Sequence, residues 1–248
     1  MGFYSHLRNP IARAAFAAHQ ALAKFGVAER YRRPLRKLVI GRYVSDTMTL
    51  ELRPGSWDAW TAHPGHEPET HQFIASTFRP GSGVMLDVGA FCGSFSLRYK
   101  NSFDGLYAFE ASSSNFEALS RNAKASGDWA HPVRAAIAAE PGTLRLYLNN
   151  EDTHSLIGEG AFEEVRAISL DAFWKEVGEP KIAFIKIDVE GAEPGVIQGA
   201  TEVLSRFPTV LAEANGPAEI HELTTLMEAR GYRCDRVLDG RNMLFVAA

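Results

Sequence analysis

The chain has 248 residues, of which 46% are apolar and 23% charged, with a formal net charge of −4 at pH 7. This composition predicts a folded globular chain and excludes one that is disordered throughout. Charged residues interrupt every apolar run before the roughly 20 residues that a transmembrane helix needs. Two cysteines are too few for a disulfide framework or a cysteine-based zinc site, so we expect a cytoplasmic protein.

The N-terminal segment differs in charge from the rest of the chain. Residues 1–42 contain nine Lys or Arg and one acid, Glu29, for a net charge of +8, so the remainder carries −12. Apolar residues between Asn9 and Phe25 recur at helical spacing, which predicts an amphipathic helix with one stripe formed by Ile11, Ala15, Ala18, Leu22 and Phe25.

A basic run, Arg30 to Lys37, follows this helix. Such a run is typical of contact with an anionic membrane surface, a phosphorylated substrate or nucleic acid, or of a solvated connector whose helix packs on the domain. The sequence leaves these alternatives open. If the run touches a membrane, the protein is peripheral to the inner face of that membrane.

From residue 79 onward, short apolar segments alternate with polar, helix-compatible segments. This βαβ pattern predicts an α/β fold with a doubly wound, mostly parallel sheet and helices on both faces. The candidate strands are Val84–Val88, Leu106–Glu110, Val133–Ala138, Ile182–Asp188 and Thr209–Glu213.

Two further segments predict antiparallel pairing. Pro141-Gly142 is a turn signal before the alternating segment 143–148. Near the C-terminus, residues 232–238 and 243–247 flank the turn signal Asp239-Gly240-Arg241-Asn242. The sheet is therefore expected to end in an antiparallel hairpin.

The segment Asp87-Val88-Gly89-Ala90-Phe91-Cys92-Gly93 predicts a buried strand that runs into a glycine loop, with a helix starting near Ser94. Glycines in such a loop allow close approach to a ligand, and a helix N-terminus offers free N–H groups. The spacing differs from the dinucleotide fingerprint, and the loop lacks the Lys-Ser/Thr of a P-loop. An acid before the glycines would repel a pyrophosphate but suits an ammonium and a sulfonium, so Asp87 favours S-adenosylmethionine over NAD.

Glu110 ends the second predicted strand, where an acid can accept hydrogen bonds from ribose hydroxyls. Ala135 and Ala136, near the third strand, leave room for an adenine ring. Three acids follow the fourth strand, Asp188, Glu190 and Glu193, and a dipole-complementing role at a helix start is the favoured reading for the last.

For methyl transfer to a hydroxyl, the base candidates are Asp188, Glu190 and, from the polar stretch 149–155, His154. Asp188 with Glu213 is a possible but disfavoured divalent cation site, since no dense carboxylate motif is present.

With these residues in place, the chain resembles the FkbM-type family of Rossmann-like, class I methyltransferases. The matching segments are Asp87–Leu97, Tyr107–Asn122, Ala136–Leu148, Ser169–Asp171 and the most specific one, IKIDVEGAEPGVIQGA at Ile185–Ala200. His66–Thr70 also resembles a family element. The family commonly has Asn at position 91, Pro at 111 and an acid at 139, where this chain has Phe91, Ala111 and Ala139.

The resemblance implies a seven-stranded sheet, S-adenosylmethionine as cofactor and O-methylation of a sugar, glycolipid or other natural product. The expected cofactor-binding residues are Glu67, Asp87, Gly89, Ala90, Phe91, Gly93, Glu110, Ala111, Ala136 and Asp188. We divide the chain into a basic helical extension and connector, residues 1–65, and a catalytic domain, residues 66–248.

The expected partner is a small-molecule or glycan acceptor. A nucleic-acid methyltransferase recruited by the basic run is an alternative, disfavoured by the acidic body of the chain. A non-catalytic binding module that retains the fold is another alternative.

Overall fold

The computed structural model describes residues 6–148 and 154–248. The helices are α1 (Pro10–Lys24), α2 (Glu29–Arg36), α3 (Asp58–Thr61), α4 (Pro68–Thr77), α5 (Ser113–Ser126), α6 (Leu170–Glu176), α7 (Glu193–Gln198), α8 (Thr201–Leu204) and α9 (Pro217–Glu228). The strands are β1 (Gly41–Val44), β2 (Thr49–Leu52), β3 (Val84–Val88), β4 (Gly105–Phe109), β5 (Ala130–Val133), β6 (Ala136–Ile137), β7 (Gly142–Tyr147), β8 (Phe162–Ile168), β9 (Ile182–Ile187), β10 (Thr209–Glu213), β11 (Tyr232–Leu238) and β12 (Asn242–Ala247).

A seven-stranded sheet forms the centre of the fold, in the order β11-β12-β10-β9-β3-β4-β5. Neighbouring strands from β5 to β10 are parallel, whereas β12 is antiparallel to both β10 and β11. The predicted mostly parallel sheet with a C-terminal antiparallel hairpin is therefore confirmed. The expected turn at Asp239–Arg241 connects β11 and β12.

Side chains pack on both faces of this sheet. On β3, Met85 belongs to one buried cluster, while Leu86 and Val88 belong to another. The first cluster includes residues of α1, α4 and α5, and the second includes residues of α6, α7 and α9. Burial on both faces explains why these strands are apolar without alternation.

The predicted strand Val133–Ala138 is wrong, because the chain leaves the main sheet in its middle. β5 ends at Val133, and β6 begins at Ala136 in a separate three-stranded sheet, ordered β6-β8-β7. Its strand β8 had no clear sequence signal. The alternating segment at 143–148 forms β7, which pairs antiparallel with β8.

The helix expected to start near Ser94 is also wrong. Turns follow the glycine loop, and the chain then forms a 3₁₀ turn, Leu97–Tyr99. Phe95, Leu97 and Tyr99 are all buried, although residues two apart point in widely different directions on an α-helix. Tight packing on several sides of this segment therefore takes the place of one regular helical face.

Helix α1 lies where it was predicted, but its buried face differs from the predicted stripe. The domain buries Ala12, Phe16 and His19, whereas Ile11 and Phe25 are exposed. Only Ala15 of the predicted stripe is buried. No helix in residues 6–148 and 154–248 has the length and apolar character required to cross a membrane.

Candidate functional site

A cavity of about 620 Å³ lies at the carboxyl edge of the main sheet, where β3, β4, β9 and β10 end. Ligands of open α/β sheets bind at this edge. The residues predicted for the site that line the cavity are Glu67, Gly89, Ala90, Phe91, Glu110, Ala111, Ala136, His154, Asp188, Glu190 and Glu213. Asp87 and Gly93 are not among the lining residues.

The loop after β3 is held in place by its neighbours. The amide groups of Gly89 and Ala90 donate to the carbonyl of Phe109, at 3.0 and 2.9 Å. Gly89 has a φ of +89°, and a Cβ there would lie 1.8 Å from the carbonyl oxygen of Asp188. Glycine is therefore required for the close approach of this loop to the end of β9.

Gly93 supports the loop from behind. Its φ is +84°, and a Cβ there would lie 2.7 Å from the side chain of Leu97. Asp87, at the end of β3, has a completely buried carboxylate, and neither of its oxygens has a hydrogen-bond partner among the described residues. Burial raises the pKa of Asp87, and the positive charge of Lys186 partly offsets this effect.

Glu110 follows β4 directly and is fixed by two backbone donors. The amide of Phe91 donates to its Oε2 and the amide of Ser112 to its Oε1, both at 2.8 Å. Burial is the main cause that raises the pKa of Glu110 to about 7. Because each carboxylate oxygen can accept more than one hydrogen bond, Glu110 retains accepting capacity toward the cavity.

Small and apolar side chains form the cavity wall next to Glu110. This wall consists of Ala111, Ala135, Ala136, Ile137 and Leu146. The break between β5 and β6 places Ala135 and Ala136 there, because the chain turns away from the sheet at this point. A flat apolar surface of this kind accommodates an aromatic ring.

Opposite charges alternate along the ends of β9 and β10. Lys186 donates to Asp188 Oδ2 at 2.7 Å. Arg241, in the β11–β12 turn, donates to Glu213 Oε1 at 3.0 Å and to Glu67 Oε1 at 3.2 Å. The second oxygen of Glu67, Oε2, is buried without a hydrogen-bond partner.

The carboxylates of this group differ in proton affinity. Burial would raise the pKa of Asp188, but Lys186, with Arg241 and His66, holds that pKa below its ordinary value. Burial and the charge of Asp188 raise the pKa of Glu213 to about 7, despite Arg241. Desolvation, followed by repulsion from Asp188 and Glu193, raises the pKa of Glu190. Asp188 is therefore the weakest base of the three.

His154 reaches the cavity from the segment after β7. The next residue, Ser155, donates from its hydroxyl to the carbonyl of Glu190 at 2.8 Å. This bond fixes the segment to the turn that carries Glu190. The other residues of the polar stretch, 149–153, lie outside the described residues. At the start of α7, Glu193 accepts from the amide of Val189 at 2.9 Å and from that of Gly191 at 3.3 Å.

Aromatic side chains from the N-terminal part form the remaining wall, which we call the tryptophan wall: Trp57 and Trp60. Their ring centroids are 5.6 Å apart with an interplanar angle of 81°. Trp60 packs on Phe16 of α1, and the Arg36 guanidinium lies 4.0 Å from the Trp57 ring centroid. Other lining residues of this part are Gln20, Thr61, His63, Gly65 and His66.

With this geometry established, residues 87–234 match the family model of the methyltransferase FkbM domain. The chain belongs to this family. The match includes the glycine loop, Glu110 and the three acids after β9, while the tryptophan wall and Glu67 precede it and Arg241 follows it.

Two relatives illustrate the similarity. The hexuronic acid methyltransferase AglP of Haloferax volcanii is 25% identical over 147 residues, which cover 58% of this chain and 61% of AglP. The crystal structure of a methyltransferase FkbM from Methylobacillus flagellatus KT aligns with a TM-score of 0.53 and 15% identity, covering 98% of this chain and 56% of that chain. This chain thus spans less than two thirds of each relative, and the structural likeness shows a shared Rossmann-like methyltransferase fold.

Sequence reasoning missed several lining residues of this FkbM domain. Gln20 and Arg241 gave no signal, because one belongs to a helix far along the chain and the other to a turn. Trp57 and Trp60 were visible as neighbouring aromatic residues, but only tertiary packing brings them to the cavity.

Among the described residues, no group of three or more His, Cys, Asp or Glu side chains has an arrangement suited to a metal ion. Asp188 and Glu213, the possible cation ligands, are each paired with a cationic side chain of the chain itself. Metal binding at this pair stays a disfavoured hypothesis.

Proposed function

We propose that this FkbM domain transfers a methyl group from S-adenosylmethionine to a hydroxyl group of a sugar or another small hydroxylated acceptor. The observation that carries the proposal is the common cavity of the fixed Glu110 carboxylate, the loop Gly89–Phe91 and the acids after β9 and β10. These groups come from distant parts of the chain and converge at the ligand-binding edge of the sheet.

The residues fit the cofactor in shape and charge. Glu110 has an oriented carboxylate for a ribose diol, and the alanine-rich wall beside it suits a flat ring. Five carboxylates line the cavity, from Glu67, Glu110, Asp188, Glu190 and Glu213, against the two cations Lys186 and Arg241. This negative excess favours a ligand with a sulfonium and an ammonium group. The buried, unpartnered Oε2 of Glu67 is an acceptor available to that ammonium.

S-adenosylmethionine supplies an electrophilic methyl group, so the protein must orient the acceptor hydroxyl and take its proton. Glu213 and Glu190 have raised pKa values, which makes them stronger bases than Asp188 near neutral pH. We assign proton acceptance to this pair of glutamates. Asp188 remains ionised beside Lys186 and keeps that ammonium in place.

The tryptophan wall is our candidate for the acceptor side of the cavity. Aromatic rings offer broad apolar contact to the C–H faces of a sugar, while His63 and Thr61 nearby supply polar groups. The relative AglP is named for a hexuronic acid, which supports a sugar acceptor. The excess of carboxylates in this cavity favours a sugar that carries no carboxylate itself.

Calorimetry and product analysis test the proposal. We expect S-adenosylmethionine and its demethylated product to bind, and NAD not to bind. Methyl transfer is then measured with a pool of neutral hexosides and with the matching pool of hexuronides. Equal or tighter NAD binding would contradict the methyltransferase assignment, whereas turnover confined to the hexuronides would contradict only the charge argument.

Two variants test the assigned roles. Trp60→Ala is expected to raise the acceptor KM at least tenfold with cofactor affinity unchanged, and Trp129→Ala, outside the cavity lining, is the matched control. In the double variant Asp188→Ala, Glu190→Ala, methyl transfer is expected to fall by about 100-fold or more. Unchanged transfer in the double variant would exclude both carboxylates from the reaction.

A further inference from the structure

Helix α1 presents an apolar stripe that the domain does not cover. Residues spaced alternately three and four apart lie on one side of a helix, and Ile11, Ala14, Ala18, Ala21 and Phe25 follow this spacing. Ile11 and Phe25, at its ends, are 62% and 85% exposed. Ala14 and Ala21 are exposed as well, and Ala18 is half-buried. The helix thus has a second apolar side opposite the one packed on the domain.

The segment after α1 adds further exposed apolar side chains within a basic stretch. Tyr31, Leu38 and Ile40 are 64%, 48% and 41% exposed. The exposed cations around them and on α1 are Arg13, Lys24, Arg30, Arg33, Lys37 and Arg42. Exposed apolar residues at this density within a basic stretch are characteristic of an interaction surface.

The two ends of this stretch are adjacent in space. The amide of Arg8 donates to the carbonyl of Arg42 at 3.0 Å, and a Cβ on Gly41 would lie 3.3 Å from that of Asn9. Residues 40–42 therefore lie beside the start of α1. We call the exposed residues of α1 and of segment 30–42 together the N-terminal surface.

We propose that the N-terminal surface docks on an anionic lipid membrane. Lys and Arg side chains are attracted to anionic headgroups, and the exposed apolar side chains enter the boundary between headgroups and acyl chains. Residues 1–42 carry +8 and the remainder −12, so the same field that attracts the N-terminal surface turns the acidic body away from the bilayer.

Other occupants fit this surface less well. A second copy of the chain, docked face to face, would bring two strongly basic surfaces together. Nucleic acid would satisfy the cations, but its phosphate backbone gives the side chains of Ile11 and Phe25 no apolar partner. An anionic bilayer complements both the charge and the apolar stripe.

The position of the surface has a consequence for the cavity. Gln20 of α1 lines the cavity, while other sides of the same helix contribute to the N-terminal surface. Docking would therefore hold the cavity close to the headgroup region, within reach of an acceptor attached to a lipid.

Vesicle co-sedimentation tests the proposal on the full chain. Phosphatidylcholine vesicles are compared with vesicles that also contain phosphatidylglycerol, at low and high NaCl. We expect partitioning to the anionic vesicles at least tenfold above that to neutral ones, with a marked decrease at high salt. Ile11→Ser with Phe25→Ser, and separately Arg13→Glu with Lys24→Glu and Arg30→Glu, are each expected to reduce partitioning at least tenfold.

The matched control combines Ile220→Ser and Arg166→Glu, exposed positions outside the N-terminal surface, and should leave partitioning unchanged. Circular dichroism confirms that each variant is folded. Absence of partitioning to anionic vesicles would overturn the proposal. It would also be overturned by RNA binding that is tighter than vesicle binding and insensitive to the serine substitutions, or by a dimer that those substitutions abolish.

Discussion

The backbone amide of Phe91 donates a 2.8 Å hydrogen bond to the carboxylate of Glu110. This bond joins the loop after β3 to the end of β4, two segments of the cavity wall. Because the donor is a backbone group, the bond does not depend on the side chain at position 91. The FkbM domain thus retains the link between loop and acid with a Phe at this position.

Substitution of Glu110 tests its assignment to the cofactor ribose. In Glu110→Gln one acceptor becomes a donor, so the dissociation constant for S-adenosylmethionine is expected to rise by about tenfold or more, corresponding to 1–3 kcal/mol. Calorimetry measures the change. The control Glu117→Gln replaces an exposed carboxylate of α5 and should change nothing. Unaltered affinity in a folded Glu110→Gln protein would remove Glu110 from the cofactor site.

Gly89→Ala is expected to destabilise the protein by about 2 kcal/mol or more. The added Cβ meets the Asp188 carbonyl oxygen, and φ at this position is +89°. Urea unfolding measures the free energy of unfolding. Gly142→Ala provides the control, because a Cβ there has no neighbour within 4 Å, and a loss of similar size in that variant would contradict the steric explanation.

Position 91 has a φ of +53°, in the left-handed region. Asn tolerates this region well, whereas a β-branched residue is strained there. We expect Phe91→Val to be less stable than Phe91→Asn by about 1–3 kcal/mol. Thermal unfolding compares the two variants. Equal stabilities would show that the loop relaxes to another conformation.

The raised pKa of Glu213 predicts a pH dependence of methyl transfer. If Glu213 accepts the proton, kcat rises with pH while Glu213 ionises and becomes constant above about pH 7. Glu213→Gln should lower kcat by about 100-fold or more and remove this rise. The same profile measured for Glu190→Gln separates the two glutamates. A rise that persists unchanged in Glu213→Gln would exclude Glu213 as the base.

Glu110 also predicts a pH dependence of stability. Its pKa is about 7 in the folded protein against an ordinary value of 4.5, so the folded state binds the proton more tightly between these values. The free energy of unfolding should therefore decrease as pH rises from about 4.5 to 7, by up to about 3 kcal/mol from this group. Urea unfolding across this range is expected to show a smaller decrease in Glu110→Gln than in the unaltered protein.

Much of the fold could be predicted from the sequence. β3 and β10 have the predicted bounds, and β4 and β9 differ from the prediction by one residue at their ends. These strands are buried on both faces, and such burial requires continuous apolar runs that are readable directly. The C-terminal hairpin was readable for the same reason, because its turn needs particular residue types.

The sequence by itself determined which residues meet at the carboxyl edge of the sheet, since strand order and direction place Gly89, Glu110 and Asp188 there. Tertiary structure decided the rest. It ended β5 at Val133, wrapped the chain after Gly93 into turns, and turned the predicted stripe of α1 largely toward solvent. Pairings such as Arg241 with Glu67, 174 residues apart, leave no periodic signal, because they depend on how separate elements pack and not on local backbone preference.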